Sequence, residues 1–308
     1  MTVLITEFFN PEGVSALSER YDVIYNSELA EDRAQLLRLV ADSEALIVRN
    51  RTRVDDALLD SAPELRIVAR MGVGLDNIDV EACRRREIEV VTGAGLNAIP
   101  VAEYVLSAIL WLTRGLSGAT TQVTAGEWPR QAYIGHEVHG RQLGLLGFGA
   151  IAREVASRAL ALGMRVVAHD PYVSADSSWG LVDSVGFDSL LEMSDVVSIH
   201  VPKTSETVGL ISETAIQKMK NGAILINTSR GGLVDEQAAA DAIRSQRLGG
   251  AALDVFDEEP LTAHGGLGFQ SIPNLLLTPH IAGVTTESES RIAQTLVTSI
   301  NQALGSKP

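Results

Sequence analysis

Four stretches of this chain carry residue types able to do chemistry. Gln142-Leu-Gly-Leu-Leu146 runs into Gly147-Phe148-Gly149-Ala150-Ile151-Ala152, and Ile151, Val155 and Ala159 then fall at i, i+4 spacing. Two glycines permit a tight strand-to-helix turn and close backbone approach, and the helix N-terminal amides can face a pyrophosphate. Asp170 closes the next apolar run, about 20 residues further on, where a carboxylate accepts hydrogen bonds from a ribose and repels a 2′-phosphate. The expected cofactor is therefore NAD rather than NADP. A bare strand-to-helix turn is the plain alternative.

The second stretch, Asn227-Thr-Ser-Arg230-Gly-Gly-Leu-Val-Asp-Glu236, sets an arginine just past an apolar run. Ligands of open α/β sheets gather beyond strand C-termini, so Arg230 is either a two-pronged grip for a carboxylate or a solvated turn residue. The third, Leu253-Asp-Val-Phe-Asp-Glu-Glu-Pro260, clusters carboxylates after another apolar run. The fourth, Leu277-Thr-Pro-His280-Ile-Ala-Gly283, adds a histidine, and a histidine with a nearby carboxylate is the arrangement that moves a proton near neutral pH.

The elements that must position these residues are legible as apolar runs. Val3–Thr6, Asp22–Tyr25, Ala45–Val48, Leu65–Ala69 and Ile88–Val91 alternate with helical segments such as Glu31–Ala41 and Val54–Asp60. A second succession runs through Gln142–Leu146, Arg165–Ala168, Val196–Ile199, Ala223–Ile226, Gly250–Leu253 and Asn274–Leu277. Each is a βαβ pattern with a parallel sheet, so the fold class expected is α/β with two domains. Long helices are expected around Val101–Thr113 and Ser288–Leu304.

The composition suits such a protein. The chain has 308 residues, 45% hydrophobic and 21% charged, enough to bury two cores. Its 25 Lys+Arg against 39 Asp+Glu give a net charge of −14. With no basic stripe to override that charge, nucleic acid and anionic membrane surfaces are excluded as partners. Tyr104–Leu112, the longest apolar stretch, is too short to span a bilayer. The N-terminus resembles no leader and Cys83 has no partner cysteine, so a cytoplasmic setting is expected.

Taken together, Gly72-Val-Gly-Leu-Asp-Asn-Ile-Asp79, Val101-Ala-Glu103, Gly147–Ala152 with Asp170, Arg230-Gly-Gly, Ala251–Pro260 and Pro279-His280-Ile-Ala-Gly283 resemble the D-isomer-specific 2-hydroxyacid dehydrogenases. The likeness is to the phosphoglycerate dehydrogenase-like branch and spans almost the whole chain. It implies two Rossmann-like domains, the substrate domain flavodoxin-like and built from 1–98 with 288–308, the NAD domain from 99–287. It also implies an enzyme that moves a hydride between NAD and C2 of a small anionic 2-hydroxy or 2-oxo acid, in a cleft between the domains, with no metal.

By the same resemblance the catalytic set is Arg230, Glu259 and His280. His280 exchanges the hydroxyl proton, Glu259 orients it, and Arg230 holds the substrate carboxylate. Cofactor contacts fall on Gly147, Gly149, Ala150, Ile151, Asp170, Val201, Thr228, Asp254 and Gly283, Asp254 facing the nicotinamide amide. Substrate contacts fall on Arg49, Asn50, Arg51, Arg70, Gly72, Val73 and Gly74, which imply a second anionic group such as phosphate or sulfonate. Four arginines would thus focus a dianion into a negative protein. A 3-phosphoglycerate-like acid is expected; sulfolactate oxidation, hydroxypyruvate or glyoxylate reduction, and NAD(H) sensing without catalysis are the alternatives. Gly126-Glu-Trp-Pro-Arg-Gln131 resembles the family's dimer arm, so a homodimer is expected, with Trp128 or Arg130 on the partner.

The chain departs from the family pattern at four points. Ala150 and Ala152 replace the usual Arg and third Gly of the pyrophosphate loop, Pro100 stands for a Ser, and Tyr104 for a His. The serine-sensing C-terminal domain of some phosphoglycerate dehydrogenases is expected to be absent.

Overall fold

A computed structural model describes residues 1–173 and 179–305, so the last three residues of the expected returning segment lie outside it. The chain divides into two compact units, Met1–Asn97 with Val284–Pro308, and Ala98–Gly283.

The first unit alternates strand and helix: β1 (Thr2–Ile5), α1 (Pro11–Ser18), β2 (Asp22–Tyr25), α2 (Arg33–Val40), β3 (Ala45–Val48), α3 (Asp56–Asp60), β4 (Ile67–Arg70), α4 (Val80–Arg85) and β5 (Glu89–Thr92). Its five strands are all parallel, in the order β2-β1-β3-β4-β5. β3 and β4 are buried at every position, as expected of parallel strands covered on both faces. Asp32, Asp55 and Asp79 start α2, α3 and α4 by accepting the N–H groups of Gln35, Leu58 and Ala82. The C-terminal helix, Thr286–Gly305, lays Ile292, Leu296, Ile300 and Leu304 at four-residue spacing onto the sheet face of Val3, Ile5, Ile47 and Ala69. Thr285 and Ser288 cap that helix by exchanging backbone-to-hydroxyl bonds of 3.0 and 3.1 Å, which ties Val284–Glu287 to the first unit rather than the second.

The second unit opens with α5 (Ala98–Arg114) and α6 (Ala119–Thr124) and continues through β6 (Gln142–Leu146), α7 (Ala150–Ala161), β7 (Arg165–His169), β8 (Asp183–Ser184), α8 (Phe187–Met193), β9 (Val196–Ile199), α9 (Glu213–Lys218), β10 (Ala223–Asn227), α10 (Glu236–Arg244), β11 (Leu248–Leu253) and β12 (Leu275–Leu277). Seven parallel strands lie in the order β12-β11-β10-β9-β6-β7-β8. The connections leave β6 toward β7 on one side and β9 on the other, which makes the β6 C-terminus a topological switch point. α5 starts three residues before the apolar run that announced it. Pro100 does not prevent this, because the first turn of a helix has no use for its missing N–H.

Two parallel sheets flanked by helices make this the α/β, two-domain architecture expected from the apolar runs, Rossmann-like as the family resemblance implied. The short α6 and β8 carry too little apolar patterning to be read from sequence. Among the described residues no helix is long and apolar enough to cross a membrane.

Candidate active site

His280 sits just past β12 with its backbone in the left-handed region, φ 55°. The conformation is held by its N–H, which donates to the carbonyls of Asp254 at 2.8 Å and Thr278 at 3.0 Å. The ring Nδ1 lies 2.7 Å from Glu259 Oε2, while Glu259 Oε1 accepts the Phe256 N–H at 3.0 Å. Partial burial pushes the Glu259 carboxyl up, but the His280 hydrogen bond, the Phe256 amide and the charges of His280 and Arg230 outweigh it and hold its pKa below the ordinary value. Glu259 therefore stays ionised at neutral pH. In the neutral ring, Nδ1–H donating to that carboxylate leaves Nε2 as the acceptor for a substrate proton.

Asp254, expected beside the nicotinamide amide, is bound by donors of the 278–282 turn. Only 1% exposed, its carboxylate accepts the Ile281 and Ala282 N–H groups at 2.8 Å each and the Thr278 hydroxyl at 2.5 Å. Thr278 in turn meets the Tyr104 hydroxyl at 2.6 Å. A chain from α5 through Thr278 to Asp254 thus clamps the 278–282 turn that presents His280, and three donors of this protein already engage the carboxylate expected beside nicotinamide.

Arg230 follows β10 in a loop braced from within. Asn227 Nδ2 donates to the Arg230 carbonyl at 2.9 Å, Asn227 Oδ1 accepts the Ser229 N–H at 3.0 Å, and the Ser229 hydroxyl donates to the Val201 carbonyl at 2.6 Å. Gly231 is required here: a Cβ would collide with the Phe256 carbonyl, so only glycine lets this loop lie against the one carrying Glu259. The structure thereby brings Arg230, Glu259 and His280 to adjacent strand ends of one sheet.

The expected dinucleotide cradle passes a test of fit. Gly147 has φ 87°, and a Cβ there would lie 2.7 Å from the His200 carbonyl. At the N-terminus of α7, Gly149 offers no side-chain cap, so the first-turn amides around Ala150 and Ile151 are left for an anion. Asp170 follows β7 and accepts the Phe148 N–H at 2.8 Å and the Tyr172 N–H at 2.9 Å, which aims its negative charge over the loop. Thr228 Oγ1 is buried without a partner, an orphaned donor of the kind a bound cofactor satisfies. These residues would hold NAD, and the missing loop arginine leaves the amides to do so. Burial drives the neighbouring His200 down to about 4, so it stays neutral beside the Ser198 hydroxyl at 2.9 Å.

In the first unit the loop after β3 and the loop after β4 carry the expected substrate contacts. Arg70 is 8% exposed and donates Nε to Asn77 Oδ1 at 3.2 Å. The Gly72 N–H already donates to the Arg70 carbonyl at 2.9 Å, leaving Val73 and Gly74 as the amides a ligand could use. Arg49 pairs with Glu289 at 2.9 Å and lies over the Phe8 ring at 5.8 Å. Arg51 is engaged by Glu31 at 2.8 Å, Glu7 at 3.6 Å and Glu28 at 3.8 Å. Its guanidinium is thus turned onto carboxylates of the first unit rather than presented as an uncompensated cation.

One structural residue escaped the sequence reading. Glu7 is buried, and its carboxylate accepts the N–H groups of Arg49, Asn50, Arg51 and Thr52 at 2.8 to 3.2 Å. Burial pushes its pKa up, but the amides of Thr52, Arg51 and Arg49 and the Thr52 hydroxyl reverse that and hold it below the ordinary value. An acid directly after an apolar strand was the only signal for it.

A cofactor cradle at a switch point, with a histidine–carboxylate pair and an arginine at neighbouring strand ends, defines a nucleotide-dependent dehydrogenase. Residues 106–282 match the D-isomer specific 2-hydroxyacid dehydrogenase NAD binding domain. The chain belongs to that family, and it is an NAD-dependent oxidoreductase of 2-hydroxy acids. Over 305 residues it is 52% identical to an (S)-sulfolactate dehydrogenase of Chromohalobacter salexigens, covering 98% of each chain. It is 38% identical to a D-3-phosphoglycerate dehydrogenase of Archaeoglobus fulgidus over 99% of this chain and 58% of that one. Among solved structures, D-lactate dehydrogenase of Aquifex aeolicus, complexed with NAD and lactic acid, superposes with a TM-score of 0.88 at 29% identity, covering 98% and 95% of the two chains.

Proposed function

We propose that this enzyme interconverts (S)-sulfolactate and 3-sulfopyruvate. The observation that carries the reading is the 52% identity, end to end, with an enzyme named for that substrate. The (S) descriptor agrees with a D-specific family. Sulfur ranks the CH2–SO3 branch above the carboxylate, so (S)-sulfolactate has the same spatial arrangement about C2 as a D-2-hydroxy acid.

In the oxidising direction His280 Nε2 takes the hydroxyl proton as the C2–H bond breaks and the C2=O bond forms. Bound NAD supplies the acceptor for the hydride. Glu259 holds the ring through Nδ1 and stabilises the imidazolium that results. Arg230 grips the C1 carboxylate and polarises the C2 oxygen. Asp254 acts through the turn it clamps, while Gly147, Gly149, Ala150, Ile151, Asp170, Val201, Thr228 and Gly283 serve the cofactor. Arg49, Asn50, Arg70, Val73 and Gly74 serve the substrate's anionic groups, with Arg51 bracing their loop.

The working form is a homodimer in the cytoplasm. Trp128 is 75% and Ile134 72% exposed, and Leu110, Leu116 and Val123 are exposed in the same stretch of chain, apolar side chains that a partner subunit would cover. The buried lone Cys83 suits a reducing compartment. Sedimentation should give twice the chain mass.

A screen of kcat/KM with NAD(H) tests the substrate. 3-Sulfopyruvate should exceed phosphohydroxypyruvate, hydroxypyruvate and glyoxylate by about tenfold or more, one decade being about 1.4 kcal/mol of differential transition-state binding. A clear preference for any of the others overturns the reading.

A further inference from the structure

We propose that Glu289, through its ion pair with Arg49, sets the charge of the tail this enzyme accepts, favouring a monoanionic sulfonate over a dianionic phosphate. The inference rests on the substrate reading above and deepens it.

The loop after β3 is less cationic than its arginines suggest. Arg49 meets Glu289 at 2.9 Å, and Arg51 meets Glu31, Glu7 and Glu28 at 2.8, 3.6 and 3.8 Å. Two guanidiniums thus face four carboxylates. The Glu7 carboxylate is additionally fixed by four backbone amides and cannot swing away. Glu289 stands in the first turn of the C-terminal helix, its N–H on the Thr285 carbonyl, so its Cα is held while its side chain reaches Arg49. The Phe8 ring packs against the same guanidinium, its centroid 5.8 Å away.

Sulfonate and phosphate monoester offer the same three tetrahedral oxygens, so hydrogen-bond geometry at Arg49 does not tell them apart. Charge does. A monoanion beside the Arg49–Glu289 pair leaves one negative charge in excess, whereas a dianion leaves two, and the second is repelled by the Glu289 carboxylate. Even with most of that repulsion screened by water, one extra like charge is worth about tenfold or more in relative kcat/KM.

The test compares the ratio of kcat/KM for 3-sulfopyruvate to that for phosphohydroxypyruvate, in the wild type and in Glu289→Gln. Enzyme protonation cancels in this ratio, and glyoxylate, which has no tail, normalises each protein for competent enzyme. Glu289→Gln should lower the ratio about tenfold at about pH 8, chiefly through the KM for phosphohydroxypyruvate. In the wild type alone, the ratio should also fall between about pH 8 and about pH 5, because the phosphate takes up its second proton near pH 6 and becomes a monoanion. A ratio that ignores both the substitution and the pH overturns the inference while leaving the substrate reading intact. If the wild type prefers glyoxylate to both tailed acids, the substrate reading fails and this inference with it.

Discussion

Replacing Glu259 with Gln removes the charge of the His280 partner while keeping an acceptor for its ring. The 280 turn is fixed by Asp254, which accepts the Ile281 and Ala282 amides and whose carbonyl accepts the His280 N–H, so none of its restraints passes through Glu259. The Gln carbonyl can still accept from Nδ1 across the 2.7 Å that Oε2 now spans. What disappears is the charge, together with the acceptor of the Phe256 N–H, because the Gln amide nitrogen stands where Oε1 was. A hydrogen bond to an ionised group is worth about 1.5–3 kcal/mol against about 1 kcal/mol for a neutral one, so about 0.5–2 kcal/mol of imidazolium stabilisation is lost in the oxidative transition state. At about 1.4 kcal/mol per decade, kcat for oxidation should fall about 2- to 30-fold. Because the group touches neither cofactor cradle nor substrate tail, NADH affinity and substrate KM should stay within about twofold. The assay is steady-state oxidation with NAD varied, paired with NADH fluorescence titration. A kcat within twofold of wild type, or a loss that appears wholly in KM, would refute the charge argument.

Two further substitutions probe the scaffold. Asp170→Ala removes the carboxylate that repels a 2′-phosphate, so the NAD over NADP preference in kcat/KM should drop about tenfold or more; an unchanged preference would place the discrimination elsewhere. Glu7→Gln removes a depressed-pKa carboxylate and leaves two of its four amides without an acceptor, so stability at neutral pH, read as the melting temperature, should fall by the equivalent of about 3–6 kcal/mol. The sign follows from the direction of the shift: the folded pKa lies below the ordinary 4.5, so this stabilisation is present above pH 4.5 and is lost as pH falls through the folded value. Wild type and variant melts should therefore converge in acid, and a difference that persists there would contradict the assignment.

How far the sequence carried the structure depended on what kind of information each feature needed. Apolar runs report burial on both faces, and Ala45–Val48, Gln142–Leu146 and Ala223–Asn227 are indeed covered parallel strands. Strand C-termini report where ligands gather, which is why Arg230 and His280 could be singled out. Side-chain pairing across long separations leaves no such periodic trace. Glu7 meets an amide run more than forty residues away, and Glu289 meets Arg49 from the far end of the chain. Family resemblance put Asp254 beside the nicotinamide amide, while the donors it accepts from the 278–282 turn are revealed only by the folded chain.

The central claim is that His280 carries the substrate proton, oriented by Glu259, while the cofactor is held elsewhere. His280→Ala, assayed for 3-sulfopyruvate reduction alongside NADH binding by fluorescence, tests this most directly. Turnover should fall by about 10²- to 10⁴-fold, the usual contribution of a general acid–base group, with NADH affinity kept. Turnover near the wild-type rate in a variant that binds NADH normally would remove His280 from the mechanism.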